Sequence, residues 1–201
     1  MAAGHPGWPA RLVYGRVALR PLRWRDAGQW SLLRLRNEAW LTPWEPSSPY
    51  PWTQRHTRSA YLSMLKVLRG LARRGISLPF GVLYDDVLVG QITVSNVVRG
   101  VLRSAHVGYW IDKEVAGRGI TTTALALAVD HCFGPVGLHR IQVDIRPENT
   151  ASRRVVEKLG FRQEALYLRY LDIDGAYRDH LGFAVTVEDV PGGMIRRIST
   201  T

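Results

Sequence analysis

Cysteine is nearly absent: the 201-residue chain carries only Cys132. No internal disulfide can form, and a reducing, cytoplasmic compartment is the natural setting. Long hydrophobic runs are missing as well. None approaches the roughly 18 residues of a membrane span, and no basic-then-apolar segment opens the chain. A disulfide scaffold and a membrane-embedded protein are thereby set aside. Lysine is also scarce, since almost all of the 27 basic residues are arginine. No internal repeat, linker of shifted composition, dense basic run or RNA-binding motif is found.

What the chain has is core-forming material. Hydrophobic residues make up 46%, enough for one globular domain over 1–201 with a core of about 13–190. Residues 1–12 and 192–201, rich in Gly, Pro and short polar residues, read as loose ends. The net charge of +10 attracts polyanions: nucleic acid, a ribosome or a phosphate-rich cofactor. Because the arginines are scattered, charge alone leaves a plain solvated surface open.

Periodicity gives the element order. Arg16–Leu22 reads as a strand, followed by a helix capped by Asp26 and running to about Leu41. Residues 42–52 form an aromatic loop with four prolines. Thr53 is expected to cap a second helix to about Arg74. Strands 80–84 and 87–98 are joined by a turn at Asp85-Asp86, and 103–112 follows as a strand. Then come helix 121–132, strand 140–146, helix 150–159 and strands 161–172 and 177–186, the last two joined around Asp174-Gly175. That order predicts an α/β or α+β sandwich, a mixed sheet with helices on both faces.

Two stretches carry chemistry. In Ile111-Asp-Lys-Glu-Val-Ala-Gly117-Arg-Gly119-Ile-Thr-Thr122 a strand breaks into a glycine loop and opens a helix. Gly117 and Gly119 allow a sharp turn and close backbone approach, and the helix start offers unpaired N–H groups with a positive dipole. Together these make a phosphate cradle. The second stretch, Arg146-Pro-Glu-Asn149-Thr-Ala-Ser152 through Gly160-Phe161, reads locally as a helix capped by Asn149 and ended by Gly160.

Spaced in this way, with a strand between them, the two motifs resemble the GNAT superfamily of acetyl-CoA-dependent N-acetyltransferases. Ala116-Gly-Arg-Gly119-Ile-Thr121 matches the family's pyrophosphate motif, R/Q-x-x-G-x-G/A, with Ala at its first position and Thr at its last. Val107-Gly-Tyr-Trp-Ile111 resembles the fourth strand, and Asn149-x-x-Ser152 the second cofactor motif. Tyr177-Arg-Asp-His180 is similar to a tetrapeptide of the RimJ-type ribosomal-protein alanine N-acetyltransferases. The likeness runs from about Val17 to Val187.

The resemblance implies a mostly antiparallel sheet of about seven strands with about four helices, splayed between strands 4 and 5. Acetyl-CoA would lie in the splay as co-substrate, with no metal. The backbone of Trp110 and Ile111 would pair with the pantetheine or acetyl carbonyl. Amides around Val115, Gly117, Gly119, Thr121 and Thr122 would hold the pyrophosphate. Arg118 would neutralise phosphate charge and Asn149 hydrogen-bond the pantetheine. A homodimer is compatible with the superfamily.

Transfer in this family is direct, from thioester to amine, so no enzyme nucleophile is needed and Cys132 is expected to be core. The amine must be neutral: an α-amine with pKa about 7.7–8.0 is so in roughly one molecule in seven at pH 7, a lysine in roughly one in 2,500. Ser152 is the candidate proton donor to the leaving thiolate. Glu45 and His106 are the candidate bases, with Glu45 and Trp44 in the acceptor pocket. Asp179 and His180 are expected to be structural, and Trp40, Trp44 and Trp52 to form a semi-rigid wall.

Three functions stay open: acetylation of a protein N-terminus beginning with Ala or Ser, with the charge favouring a ribosomal protein or ribosome; acetylation of a small amine such as a polyamine, aminoglycoside or amino acid; and a non-catalytic CoA-binding or ribosome-associated role.

Overall fold

The structure, a computed structural model, describes residues 6–199. Its strands are β1 (Leu12–Tyr14), β2 (Val17–Pro21), β3 (Leu78–Tyr84), β4 (Val87–Val98), β5 (Ser104–Ile111), β6 (Arg140–Ile145), β7 (Arg162–Ile173) and β8 (Ala176–Thr186). They form one eight-stranded sheet in the order β1-β2-β3-β4-β5-β6-β8-β7. All pairs are antiparallel except β5–β6. The expected hairpins form where the sequence placed them. Asp85 and Asp86 (φ 49° and 61°), and Asp174 and Gly175 (φ 49° and 78°), have the paired left-handed conformation that two-residue hairpin turns require. The strand beyond the expected seven is β1, which turns through Gly15 onto β2.

Of the segments expected to be loose, residues 1–5 and 200–201 lie outside the described residues, and the described parts on either side of the core pack against it. The Trp8 ring stands edge-on to Phe80 at 5.0 Å. Met194 is fully buried, and the Asp130 carboxylate accepts from the amides of Met194 and Ile195.

Two helical layers cover the sheet. α5 (Ile120–Phe133) packs behind β1, β2, β4, β5 and β6 and is apolar nearly all round, as a central helix must be. α6 (Thr150–Lys158) lies beside it. On the opposite face α1 (Ala27–Arg36) and α4 (Arg58–Arg73) enclose a second core of Leu22, Trp30, Leu33, Tyr61, Leu65 and Leu88.

The two long helices expected before β3 are each interrupted. Asn37 ends α1 because its side chain bonds the Leu33 carbonyl and Asp112, in competition with the helix. The short α2 (Glu38–Leu41) and a 3₁₀ turn at Thr42–Trp44 follow. Asp26 does not cap α1; its carboxylate takes the Arg20 guanidinium at 2.7 and 2.8 Å and the Arg23 amide. Farther on, α3 (Trp52–Arg55) stops before His56, and the cap is Thr57, whose hydroxyl accepts from Ala60 N, rather than Thr53.

The sheet opens where β5 and β6 part. Their parallel ladder joins only Ser104–Arg140, Ala105–Ile141 and His106–Gln142. Beyond it β5 continues to Ile111 along β4, while β6 continues to Ile145 along β8. Antiparallel strands alternate the direction of their backbone groups. Because Asp112 N donates to Val89 O, Gly108 and Trp110 turn their amides toward β4. Tyr109 and Ile111 turn theirs into the gap, while Val107, next to the last β5–β6 pair at His106–Gln142, still faces β6 in the ladder. Trp110 therefore spends its backbone in the ladder and meets the cleft through its side chain, while Ile111 turns its amide away from β4.

Close contact between β4 and β5 fixes one glycine. A Cβ on Gly90 would lie 2.4 Å from the Trp110 carbonyl oxygen. Gly90→Ala should destabilise the protein by about 1–3 kcal/mol, as overpacking does, read by thermal or denaturant unfolding. An unchanged midpoint would contradict this packing.

Candidate active site

The glycine loop begins with a 3₁₀ turn at Lys113–Val115. Its amides close on themselves, Val115 N on Asp112 O and Ala116 N on Lys113 O, so Val115 does not present its amide outward as expected. Gly117 and Gly119 follow with φ of 79° and 76°. A Cβ on either would meet nothing within 4 Å, so left-handed backbone rather than crowding calls for glycine here. The outer face of the loop is open. Gly119 starts α5, and its carbonyl accepts from Thr123 N and Thr123 Oγ1. The amides of Ile120, Thr121 and Thr122 have no carbonyl within the helix to bond, which leaves an anion cradle at its positive end. Arg118 is exposed beside it, donating to the Glu114 carbonyl.

The loop is anchored from below. Buried Asp112 accepts from Arg36 and from Asn37 Nδ2, and Lys113 N donates to Asn37 Oδ1 at 3.0 Å. This clasp was missed in the sequence. Its signal was an asparagine, a poor helix former, in the middle of a helical pattern.

Between β5 and β6 the gap widens into a cleft of about 330 Å³. On one side, Asn149 caps α6 with its Oδ1 on Ser152 N at 3.0 Å, and both residues line the cleft. Ser152 Oγ shares a 2.8 Å hydrogen bond with the Tyr109 hydroxyl. Burial pushes the Tyr109 phenol well above its ordinary range, so it stays protonated at neutral pH. Tyr109 was not foreseen as a site residue, although it lies within the strand motif.

Trp44 and Glu45 form the opposite wall. Arg146 lies over the Trp44 ring at 5.4 Å and donates to Pro43 O, tying the aromatic loop to the end of β6. Glu45 is held by Arg34 at 2.7 Å and Arg55 at 3.6 Å. Buried Arg34 sits among the rings of Trp30, Trp52 and Trp110 at 5.7, 4.8 and 5.0 Å. A carboxylate committed to two guanidiniums is a wall and orienting group rather than a ready base. Of the three tryptophans expected to shape the wall, Trp44 alone faces this cleft. Trp40 donates its indole N–H to Ile111 O, and Trp52 is buried under the loop, donating to Arg34 O.

His106 reaches the cleft only through Asp144, whose Oδ2 lies 3.0 Å from His106 Nδ1 and which itself lines the cavity. Gln142 holds the other Asp144 oxygen at 2.8 Å. His180, expected to be structural, lines the cleft. Cys132 is buried in α5, and burial pushes its thiol up to about 12, in keeping with a core role. Among the described residues no cluster of His, Cys, Asp and Glu could hold a metal ion, and no helix is long and apolar enough to cross a membrane.

Residues 16–162 match the acetyltransferase (GNAT) domain family. The chain is 32% identical over 189 residues to the Escherichia coli (strain K12) [ribosomal protein uS5]-alanine N-acetyltransferase, covering 90% of this chain and 94% of that protein. A shorter match, 39% over 105 residues, reaches 58% of the Bacillus subtilis (strain 168) protein named Probable N-acetyltransferase YjcK and 52% of this chain. Among solved structures, Mycobacterium smegmatis RimJ in complex with CoA-disulfide superposes with a TM-score of 0.96 at 47% identity, covering 98% of this chain and 96% of that one.

The wall also has a titration signature. His56 is buried between Trp52 O and Arg34 Nη2, and burial together with the Arg34 charge lowers its pKa to about 4. Burial lowers His131 too. An unfolded histidine titrates near 6.5, so between about pH 6.5 and 4 the unfolded chain binds more protons. Stability is full above that window and falls as pH drops through it, by on the order of 2–3 kcal/mol for His56. His56→Gln should flatten the slope of unfolding free energy against pH, leaving the part due to His131. Equal slopes in the two proteins would contradict the assignment.

Proposed function

The chain belongs to the GNAT acetyltransferase family, and from that premise we propose that it acetylates the N-terminal α-amino group of a protein, a ribosomal protein beginning with Ala or Ser. The chain is an N-acetyltransferase that uses acetyl-CoA; bound acetyl-CoA supplies an acetyl group activated as a thioester. The observation that carries the reading is the gap between β5 and β6. Trp44 and Glu45 wall it, and β5, which borders it, runs on at Ile111 into the glycine loop and α5.

The residues present fit this co-substrate. Gly117 and Gly119 expose an open backbone face that a side chain could not adopt without strain, and the first-turn amides of α5 point the positive end of the helix at a diphosphate. Thr121 and Thr122 contribute amides there, and the Arg118 guanidinium offsets charge. Ala116 at the first motif position costs little, because the cradle works through the backbone. The amides of Tyr109 and Ile111 are the backbone groups that would meet the pantetheine arm and stabilise negative charge on the acetyl oxygen. Asn149 stands beside the arm, and Ser152, backed by the protonated Tyr109 hydroxyl, donates to the departing sulfur.

The acceptor follows from how the cleft is charged. Glu45 is bound by two arginines, and Asp144 is engaged by His106 and Gln142. A small polycation would need carboxylates without partners; an α-amine, neutral in roughly one molecule in seven at pH 7, needs far less. The +10 charge also favours approach to a ribosomal surface, and the E. coli relative is named for a ribosomal-protein alanine.

Free thiol release from acetyl-CoA, measured against Ala-, Ser- and Met-initiated peptides, polyamines and aminoglycosides, should be confined to the Ala and Ser peptides. Turnover with small amines alone would overturn the N-terminal reading. Ser152→Ala should lower kcat by about 10²-fold with CoA affinity kept, in the range general acid catalysis supplies. An equal loss of CoA affinity would show that Ser152 only binds.

A further inference from the structure

We propose that His180 is a further catalytic residue, the group that takes the proton from the acceptor's amine; the inference rests on the acetyl-transfer reading above. Neither base expected from the sequence is well placed for that task. Glu45 is committed to Arg34 and Arg55, and His106 stands behind Asp144.

His180 differs from both. It is 4% exposed, yet it lines the cleft together with Asp144, Asn149 and Ser152. Its Nδ1 lies 3.0 Å from the carbonyl of Arg178, two residues back on the same strand. A carbonyl only accepts, so Nδ1 carries the proton, and in the neutral ring Nε2 keeps a lone pair. Among the described residues no other hydrogen bond involves this ring. A buried imidazole with one nitrogen satisfied and the other unpartnered at a cleft is suited to receive a proton.

The surroundings hold that ring in place. β7 and β8 fall out of register between Tyr167 and Leu171, where Arg169 takes a φ of 49° and donates its amide to Asp179 Oδ1. Bulges re-aim side chains, and here Tyr170 stands edge-on to His180 at 5.8 Å and against Tyr167 at 4.8 Å. Tyr167 can lie over the sheet because position 182 is glycine: a Cβ there would come within 2.7 Å of its ring. Its hydroxyl accepts from Gln142, which also holds Asp144. The Tyr-Arg-Asp-His tetrapeptide thus has a division of labour: Asp179 closes the bulge and His180 faces the cleft.

Asp144 supplies the countercharge. It pairs with Gly182 across the β6–β8 ladder and so sits diagonally from His180, a separation that long side chains span. Charged and titratable groups facing this end of the cleft are Asp144 from β6 and Arg146 just beyond it, His106 from β5, Tyr167 and Tyr170 from β7, and Glu45 from the loop. Burial and Asp144 raise the Tyr170 phenol, which therefore stays neutral and does not compete for the proton. In the transfer, the amine nitrogen forms its bond to the acetyl carbon as the C–S bond breaks. The amine proton passes to His180 Nε2 and then to solvent, and the sulfur takes a proton from Ser152, whose hydroxyl is restored through the Tyr109 O–H by a proton from solvent.

His180→Ala and His180→Gln are assayed with an Ala-initiated peptide, with acetyl-CoA affinity and the melting temperature measured alongside. Both should lose about 10²–10⁴-fold in kcat, the usual worth of a general base, with CoA affinity and melting temperature kept. Added imidazole should restore part of the rate in His180→Ala, where the space is open, and none in His180→Gln. Retained kcat in both variants, or a loss that imidazole does not relieve, overturns the role of His180 while leaving acetyl transfer standing. Inactivity of the wild-type protein with every peptide would instead overturn the reading on which the role rests.

Discussion

The parting of two strands governs this molecule. β5 and β6 share three ladder positions and then separate, so the backbone of Tyr109 and Ile111 leaves the sheet without a strand partner on that side. Backbone polar groups away from water need hydrogen bonds. A gap lined with them is therefore an unfinished sheet edge inside the fold. Each strand is kept in place by its other neighbour, β5 by β4 and β6 by β8 over its full length. Behind the gap α5 and α6 fill the space with apolar side chains, and the Asp112–Asn37–Arg36 clasp fixes where β5 turns into the glycine loop.

A second constraint shapes the other side. Arg34 carries its charge into an aromatic nest, and Glu45 and His56 take up its hydrogen bonds. A buried cation is tolerated only with such partners. The consequence is mechanical: the aromatic loop is pinned to α1 through Arg34 and to the β7–β8 hairpin through Ser47, which bonds Asp172 and Gly175. Trp44 and Glu45 are thereby set at a fixed distance from the strands that part.

Much of this was legible in the sequence. The order of elements, both hairpin turns and the glycine loop all follow from local chemistry, because Gly, Asp-Asp and Asn-x-x-Ser act within a few residues of themselves. What escaped was non-local. Asn37 breaks a helical pattern to serve Asp112, 75 residues away, and Asp26 gives up a cap for Arg20. Met194 and Trp8 close the core from segments whose composition reads as loose. At the candidate site the cradle was legible because its glycines and first-turn amides are sequential. The acceptor side was less legible. Whether Glu45, His106 or His180 faces the cleft depends on ion pairs and strand register that join distant parts of the chain.

Amide hydrogen exchange with and without CoA tests the central claim, that the gap between β5 and β6 is where the co-substrate is bound. Tyr109 and Ile111, together with the first-turn amides of α5, should slow by at least about 10-fold on saturation. Gly108 and Trp110, already bonded to β4, should change little. Protection confined to other strands, or slowing that ignores this alternation along β5, would contradict it.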